Sequence, residues 1–100
     1  MRCELLSPGE LADWAACIPQ ELFVELMNGT EGIYALGVWF LGEAQGALVW
    51  EEDGQSVALE SIYIRPQARR LGLGTALIRR FVRETRSEER EISVSYVEEG

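Results

Sequence analysis

Two residue types are missing from this chain, whose 100 residues include no histidine and no lysine. Cys3 and Cys17 are the only cysteines, and without histidine they have neither the number nor the spacing of a metal site. No apolar run approaches the roughly 20 residues that span a membrane, and the first residues lack the apolar region of a signal peptide. We therefore expect a cytoplasmic protein with reduced thiols, no membrane segment and no metal.

Charge is divided unevenly along the sequence, which has a net charge of −8. Residues 1–64 carry one arginine against eleven acidic residues, whereas residues 65–100 carry eight arginines against six acidic residues. The acidic part would repel nucleic acid and attract cationic groups such as amines, so we expect no nucleic-acid partner. A role of these acids in solubility alone explains them equally well.

The hydrophobic pattern and the turn residues predict one α/β (α+β) domain over residues 1–100, with the element order β-α-α-β-β-β-α-β. The predicted strands cover residues 2–7, 33–41, 47–51, 57–64 and 91–97, and the predicted helices cover residues 10–17, 20–27 and 73–86. Turns are predicted at residues 42–46 and 52–55. The apolar positions at helical spacing are Leu11, Trp14, Ala15 and Ile18 in the first helix and Leu77, Ile78, Phe81 and Val82 in the last. Strands four and five, joined by the last helix, should be parallel.

The most informative stretch is residues 65–75, Arg-Pro-Gln-Ala-Arg-Arg-Leu-Gly-Leu-Gly-Thr, which connects the fourth predicted strand to the last helix. The first amides of a helix have no acceptor within the helix, and the helix dipole favours anions there. Arginine adds positive charge, and glycine allows close approach to the backbone. This junction therefore predicts a site for a phosphorylated ligand, with the backbone donors of residues 70–75 pointing into a cleft.

Other interpretations of this loop remain open. The dinucleotide fingerprint needs a third glycine where Leu77 stands, and the nucleoside-triphosphate loop needs a lysine, which the chain lacks. The two glycines are also consistent with simple relief of crowding before a helix. An anion-binding domain for another phosphorylated ligand would use the same amides.

The spacing Arg69-x-x-Gly72-x-Gly74, preceded by an Ile-Tyr-Ile strand end, resembles the acetyl-CoA-binding motif of the GNAT superfamily of N-acetyltransferases. The likeness covers about residues 44–86 and is looser before them. It implies a mixed, mainly antiparallel sheet of about five strands flanked by helices, with acetyl-CoA as cosubstrate. The strand end would pair with the pantetheine arm, and the loop amides would hold the pyrophosphate. The implied cofactor residues are Ile62, Tyr63, Ile64, Arg69, Arg70, Leu71, Gly72, Leu73, Gly74 and Thr75.

Acetyl transfer also needs a group that accepts the proton of the amine, and Glu60 is the candidate catalytic residue. Strand alternation predicts its side chain on the same face as Ala58, Ile62 and Ile64. The base position most often cited in the family corresponds to Ala58, and an alternative is that Glu60 is solvated or pairs with an arginine. The proton donor of the family is often a tyrosine after the last strand, and Tyr96 is more consistent with packing than with this role.

The resemblance implies a C-terminally truncated fold, because the chain stops where that tyrosine segment would begin. The last strand would then expose an unpaired edge, so we expect a homodimer or completion by another domain. The first functional hypothesis is an acetyl-CoA-dependent N-acetyltransferase whose amine substrate the sequence does not identify. The alternative is a catalytically inactive module that binds CoA or a partner protein as a regulatory or interaction domain.

Overall fold

Five strands form one sheet in which the strands are arranged in chain order, β1-β2-β3-β4-β5. The computed structural model describes residues 1–86 and the backbone of residues 91–98. The strands are β1 (Arg2–Leu5), β2 (Ile33–Phe40), β3 (Glu43–Asp53), β4 (Ser56–Ile64) and β5 (Glu91–Glu98). Neighbours from β1 to β4 are antiparallel, whereas β4 and β5 are parallel. The mixed, mainly antiparallel five-stranded sheet is therefore confirmed.

Helices cover both faces of this sheet, and the sheet separates the core into two clusters, one on each face. A 3₁₀ helix (Pro8–Cys17) and helix α1 (Gln20–Met27) pack on one face, which we call the α1 face. Helix α2 (Leu73–Thr85) packs on the other, the α2 face. None of the helices in the described part of the chain has the length and hydropathy to span a membrane.

The first predicted helix is a 3₁₀ helix rather than an α-helix. A 3₁₀ helix repeats every three residues, so positions three apart lie on one line. Leu11, Trp14 and Cys17 have this spacing and are all buried, whereas Ala15 is exposed. The apolar residues of this segment therefore follow a period of three, and the expectation that Ala15 belongs to the apolar face was wrong.

The predicted β2–β3 turn at residues 42–46 was also wrong. Phe40 pairs with Glu43, so the turn consists of Leu41 and Gly42, both at positive φ (55° and 75°). Such a pair of angles suits the tight hairpins that join twisted strands. A leucine at positive φ is uncommon, so a Leu-Gly pair does not mark a turn in the sequence. The β3–β4 turn is likewise shorter than predicted, because Asp53 pairs directly with Ser56.

Helix α2 joins β4 to its parallel neighbour β5, as the sequence predicts. Its buried residues are Leu73, Leu77, Phe81 and Thr85, spaced by four. Ile78 and Val82 are exposed by 36% and 44%, so the prediction that they face the sheet was wrong. The buried residues of α2 therefore form one narrow line along the helix, and the neighbouring apolar positions remain outside it.

Candidate cofactor site

A cavity of about 340 Å³ lies between the end of β4 and the start of α2. Its volume is in the range of small-molecule pockets. Its lining consists of the strand end and the loop that the sequence predicts for a cofactor, with Ala68 in addition and Leu71 outside it. The lining residues are Ile62, Tyr63, Ile64, Ala68, Arg69, Arg70, Gly72, Leu73, Gly74 and Thr75.

The loop backbone leaves a series of N–H donors without acceptors. A short 3₁₀ turn (Pro66–Ala68) follows β4, and Arg70 and Gly72 then take left-handed conformations, with φ of 68° and 80°. Gly72 caps α2, and its carbonyl accepts the first helical bond, from Ala76, at 3.1 Å. Within the described part of the chain, the backbone N–H groups of residues 70–75 donate no hydrogen bond. Six consecutive donors therefore have no partner in these parts of the protein, and five of them belong to residues that line the cavity.

The two loop glycines do not relieve crowding within the chain. A Cβ atom at Gly72 would meet no other atom within 4 Å, and one at Gly74 would meet only Ile64 Cγ1, at 3.9 Å. The left-handed φ of Gly72 explains the glycine there, because other residues pay about 1–2 kcal/mol for that conformation. The space above both residues is open and leaves room for a ligand against the backbone.

Arg69 ties the loop to the end of β4. Its Nε donates to the carbonyl of Ile64 at 2.9 Å, and its guanidinium lies 5.5 Å from the ring centroid of Tyr63. Arg70, in contrast, is exposed at the cavity edge. The cavity therefore has one arginine held in place and one that extends into solvent, beside the positive end of the α2 dipole.

The neighbouring strands determine how much of β4 has a free edge. On the β5 side, Ser61 pairs with Val97 and Ile62 with Glu98, and no described residue pairs with Tyr63 or Ile64. On the β3 side, Ile64 pairs with Gly46, where a Cβ would lie 2.5 Å from Ile64 Cδ1. Gly46, predicted to lie in a turn, is thus a strand residue whose lack of a side chain accommodates Ile64. In the described chain, the end of β4 at Tyr63 and Ile64 therefore has no strand neighbour on the β5 side.

A β-bulge in β4 changes the direction of the side chains around Glu60. Ser61 pairs with Val49 but Leu59 pairs with the next residue, Trp50, so Glu60 is the extra residue on β4. Before the bulge, Leu59 packs on the α2 face, and after it Ile62 and Ile64 pack on that same face. The alternation is therefore broken at Glu60.

Glu60 interacts on the opposite face from Ile62 and Ile64. Its acidic neighbours are Glu51, which pairs with Ala58 across β3 and β4, and Glu25 of α1. The prediction that Glu60 shares a face with the two isoleucines was wrong because simple alternation does not account for the bulge. The pKa of Glu60 is raised above its ordinary value of 4.5 by desolvation, by the charge and a hydrogen bond of Glu51, and by the charge of Glu25. Protonated Glu60 can donate to the Glu51 carboxylate, so its hydrogen-bond partner among the described residues is acidic and not the arginine of the alternative interpretation.

The other chemically capable side chains are distributed as follows. Tyr63 lines the cavity, and Tyr34 stacks on Trp50 with ring centroids 5.3 Å apart. The side chain of Tyr96 lies outside the described residues. Among the described residues, no group of three or more Cys, Asp or Glu side chains is placed to hold a metal ion.

A second cavity, of about 330 Å³, lies on the α1 side of β4. Its lining residues are Ala16, Cys17, Ile18, Pro19, Ser61, Ile62 and Tyr63. Ile62 and Tyr63 also line the first cavity, so the two cavities meet along the same part of β4. No motif in the sequence indicates this cavity, because it forms between the end of the first 3₁₀ helix and a strand segment more than forty residues later.

A model of the acetyltransferase (GNAT) family matches residues 3–99, and the chain therefore belongs to this family. Members of the family use acetyl-CoA as the acyl donor for N-acetylation. No curated protein matches the sequence significantly.

Several solved structures have the same fold. The ribosomal-protein-alanine N-acetyltransferase from Brucella melitensis biovar Abortus 2308 is similar with a TM-score of 0.76 and 16% identity, covering 98% of this chain and 80% of that one. An acetyltransferase from Vibrio fischeri has a TM-score of 0.76 and 11% identity, covering 96% of both chains. The aminoglycoside N-acetyltransferase AAC(6')-Iy, in complex with CoA, has a TM-score of 0.73 and 16% identity, covering 96% of this chain and 78% of that one. At these identities, the likeness establishes the fold.

Proposed function

We propose that this protein is an acetyl-CoA-dependent N-acetyltransferase in which the backbone N–H groups of residues 70–75 bind the cofactor diphosphate. The observation that carries the proposal is the row of donors that border a cavity without a partner in the described chain. The positive end of α2, together with Arg69 and Arg70, favours an anion at this position. The open space above Gly72 and Gly74 allows phosphate oxygens to approach the backbone.

The pantetheine arm would continue along the free edge of β4 at Tyr63 and Ile64. This edge can bind an extended chain as a further strand would, through its backbone groups. Arg65 donates its backbone N–H to Gln45 on β3, so the backbone groups of the preceding residue, Ile64, are directed to the other edge of the strand. The carbonyl of Ile64 already accepts a bond from Arg69, and its backbone N–H therefore remains for the arm. From the edge, the arm would reach the α1 face, where Glu60 is located.

Glu60 would act as the general base of the transfer. The amine nitrogen attacks the thioester carbonyl carbon, the carbon–sulfur bond breaks, CoA leaves as the thiolate and the amine proton passes to Glu60, directly or through water. A raised pKa makes Glu60 a stronger base than an ordinary carboxylate. Glu60 and Ile64 are four residues apart on β4, or roughly 13 Å at about 3.3 Å per residue. The extended arm of the cofactor would have to span this separation.

A CoA-binding module without turnover is the second candidate function. It is favoured by Ala58, which stands at the base position most often cited for the family, and by the acidic surroundings of Glu60. Such a module would bind acetyl-CoA through the same loop and release no CoA.

Calorimetry with acetyl-CoA, followed by a thiol-release assay over a panel of amines, tests the two candidates. The enzyme requires both binding and release, the module only binding, and the absence of binding contradicts both. If a substrate is found, Glu60→Gln should lower kcat by about 10²–10⁴-fold, the usual contribution of a general base. The matched control is Glu21→Gln, an exposed carboxylate on α1. Equal activity of the two variants would contradict the role of Glu60.

We also propose that β5 pairs with a second copy or with another domain, because in the described sheet it is bonded on one side only. Light scattering at increasing protein concentration tests the first arrangement. A monomer at all concentrations would contradict the homodimer.

A further inference from the structure

We propose that the second cavity receives the acyl group of the cofactor, and that it accepts acyl groups longer than acetyl. This inference deepens the proposed function and rests on it, because a bound CoA thioester must bring the acyl group to the cavity.

The lining of the second cavity suits an uncharged group. None of its seven residues is charged, and Cys17 and Ser61 are buried, with exposures of 2% and 5%. An ammonium group placed there would lose its hydration without gaining a carboxylate partner, which is unfavourable. An uncharged apolar chain would gain free energy from the same desolvation. The lining therefore suits an acyl chain better than the amine substrate.

The second cavity adjoins the cofactor cavity along β4. Ile62 and Tyr63 line both cavities, and the free edge of β4 begins at Tyr63. The phosphate loop lies toward the α2 face, whereas the second cavity lies between β4 and the segment that connects the first 3₁₀ helix to α1. A cofactor arm that passes the edge at Tyr63 would deliver its thioester to the mouth of the second cavity.

The second cavity is also larger than an acetyl group requires. The cavity holds about 330 Å³, whereas an apolar cavity of roughly 150 Å³ is enough to bind benzene. A methyl group would leave most of this space unfilled. Ala16, which is exposed at the cavity, leaves its opening wide.

The state of the Cys17 thiol excludes covalent capture of the acyl group. Burial raises the pKa of the Cys17 thiol, although the charge and hydrogen bond of Arg65 act in the opposite direction. The thiolate is the nucleophilic form, so a thiol of this kind is inert near neutral pH. Cys17 therefore serves as apolar wall, and the acyl group stays on CoA.

The test compares the affinities of free CoA and of acetyl-, propionyl- and butyryl-CoA for the full chain by calorimetry. Each added methylene that enters the cavity should raise the affinity by about fourfold. The affinity of free CoA, measured for the same protein, is the reference for the contribution of the phosphate loop alone.

Two variants and one control test whether the gradient, the increase of affinity with acyl chain length, arises in this cavity. Ala16→Leu should abolish the increase with chain length, and Ala16→Val should reduce it. Ala15→Leu is the matched control, because Ala15 is exposed on the same 3₁₀ helix and does not line the cavity. This control should keep the wild-type gradient, and melting temperatures check that all three variants fold.

The outcomes separate the inference from the function on which it rests. Equal or falling affinity along the acyl series, with free CoA still bound, would overturn the inference and leave the proposed function intact. A gradient that survives Ala16→Leu would also overturn it. Failure of free CoA and of every acyl-CoA to bind would instead contradict the proposed function.

Discussion

Replacing Gly72 by aspartate and by asparagine tests the phosphate loop with two side chains of nearly equal size. Both residues enter the left-handed region more readily than other side chains, so the backbone cost at φ 80° should be similar. Both would also place an oxygen near the donors at the start of α2. The two variants therefore differ by one negative charge at the proposed diphosphate position.

The size of the charge effect follows from Coulomb's law. Two unit charges 4 Å apart repel by about 1 kcal/mol in water and by about 4 kcal/mol near a protein surface. Gly72 is exposed at the cavity, so the value should lie within this range. Gly72→Asp should then bind acetyl-CoA about 5-fold to 10³-fold more weakly than Gly72→Asn. The difference should shrink as salt is added, because salt screens exposed charges.

Calorimetry at two salt concentrations measures this difference. The control pair is Gly42→Asp and Gly42→Asn, since Gly42 has a similar φ of 75° and open space around it but lies in the β2–β3 turn. The control pair should bind acetyl-CoA alike, at the wild-type level. Equal affinities of Gly72→Asp and Gly72→Asn at low salt would refute the assignment of the diphosphate to this loop.

Three further predictions concern stability, each measured by urea unfolding. Leu77→Ala should lower the free energy of unfolding by about 2–5 kcal/mol, because Leu77 is fully buried. Ile78→Ala, at an exposed position, should change it by about 0.5 kcal/mol or less. Similar losses for the two variants would contradict the observed orientation of α2. Arg80→Gln should lower the free energy of unfolding by about 1–3 kcal/mol, because Arg80 donates to the carbonyl of Cys3 and to the Glu84 carboxylate, both at 2.7 Å. An unchanged free energy of unfolding would show that neither hydrogen bond contributes to stability. The folded state holds the Glu60 proton more tightly than the unfolded chain, so ionisation of Glu60 lowers stability as the pH rises through its folded pKa. Glu60→Gln should therefore raise the free energy of unfolding at a pH above that pKa and leave it unchanged below pH 4.5. An equal increase above the folded pKa and below pH 4.5 would contradict the upward direction of the pKa shift.

Local sequence signals were sufficient for much of the fold. Helix α1 spans residues 20–27 as predicted, since Pro19 precedes its first turn and Gly29 follows its end at φ 69°. The strand, loop and helix around residues 57–85 were also predicted, because Gly72 fixes the start of α2 and Leu77 and Phe81 follow the helical period. These features depend on neighbours within a few residues.

The errors arose where structure depends on residues far apart in the sequence. The bulge at Glu60 comes from the register between β3 and β4, and no local pattern marks it. The orientation of Ile78 depends on how α2 lies across the sheet. The 3₁₀ helix is stabilised by Leu11, Trp14 and Cys17 packing against the sheet, and only the packed structure distinguishes a period of three from 3.6.

For the candidate site, the sequence indicated the loop but not its surroundings. The lining of the first cavity includes all but one of the predicted cofactor residues, since a glycine-rich loop before a helix is a local feature. The acidic neighbours Glu51 and Glu25 of Glu60, and the second cavity beside Cys17, come from separate parts of the chain. Their proximity is a property of the folded sheet.

The backbone amide resonances of residues 70–75, followed by NMR during titration with acetyl-CoA, test the central claim most directly. The account predicts that these resonances, with those of Tyr63 and Ile64, shift most as the cofactor binds. Inorganic pyrophosphate should shift the loop resonances and leave those of the two strand residues nearly unchanged. Binding of acetyl-CoA that leaves the amides of residues 70–75 unshifted would contradict the account.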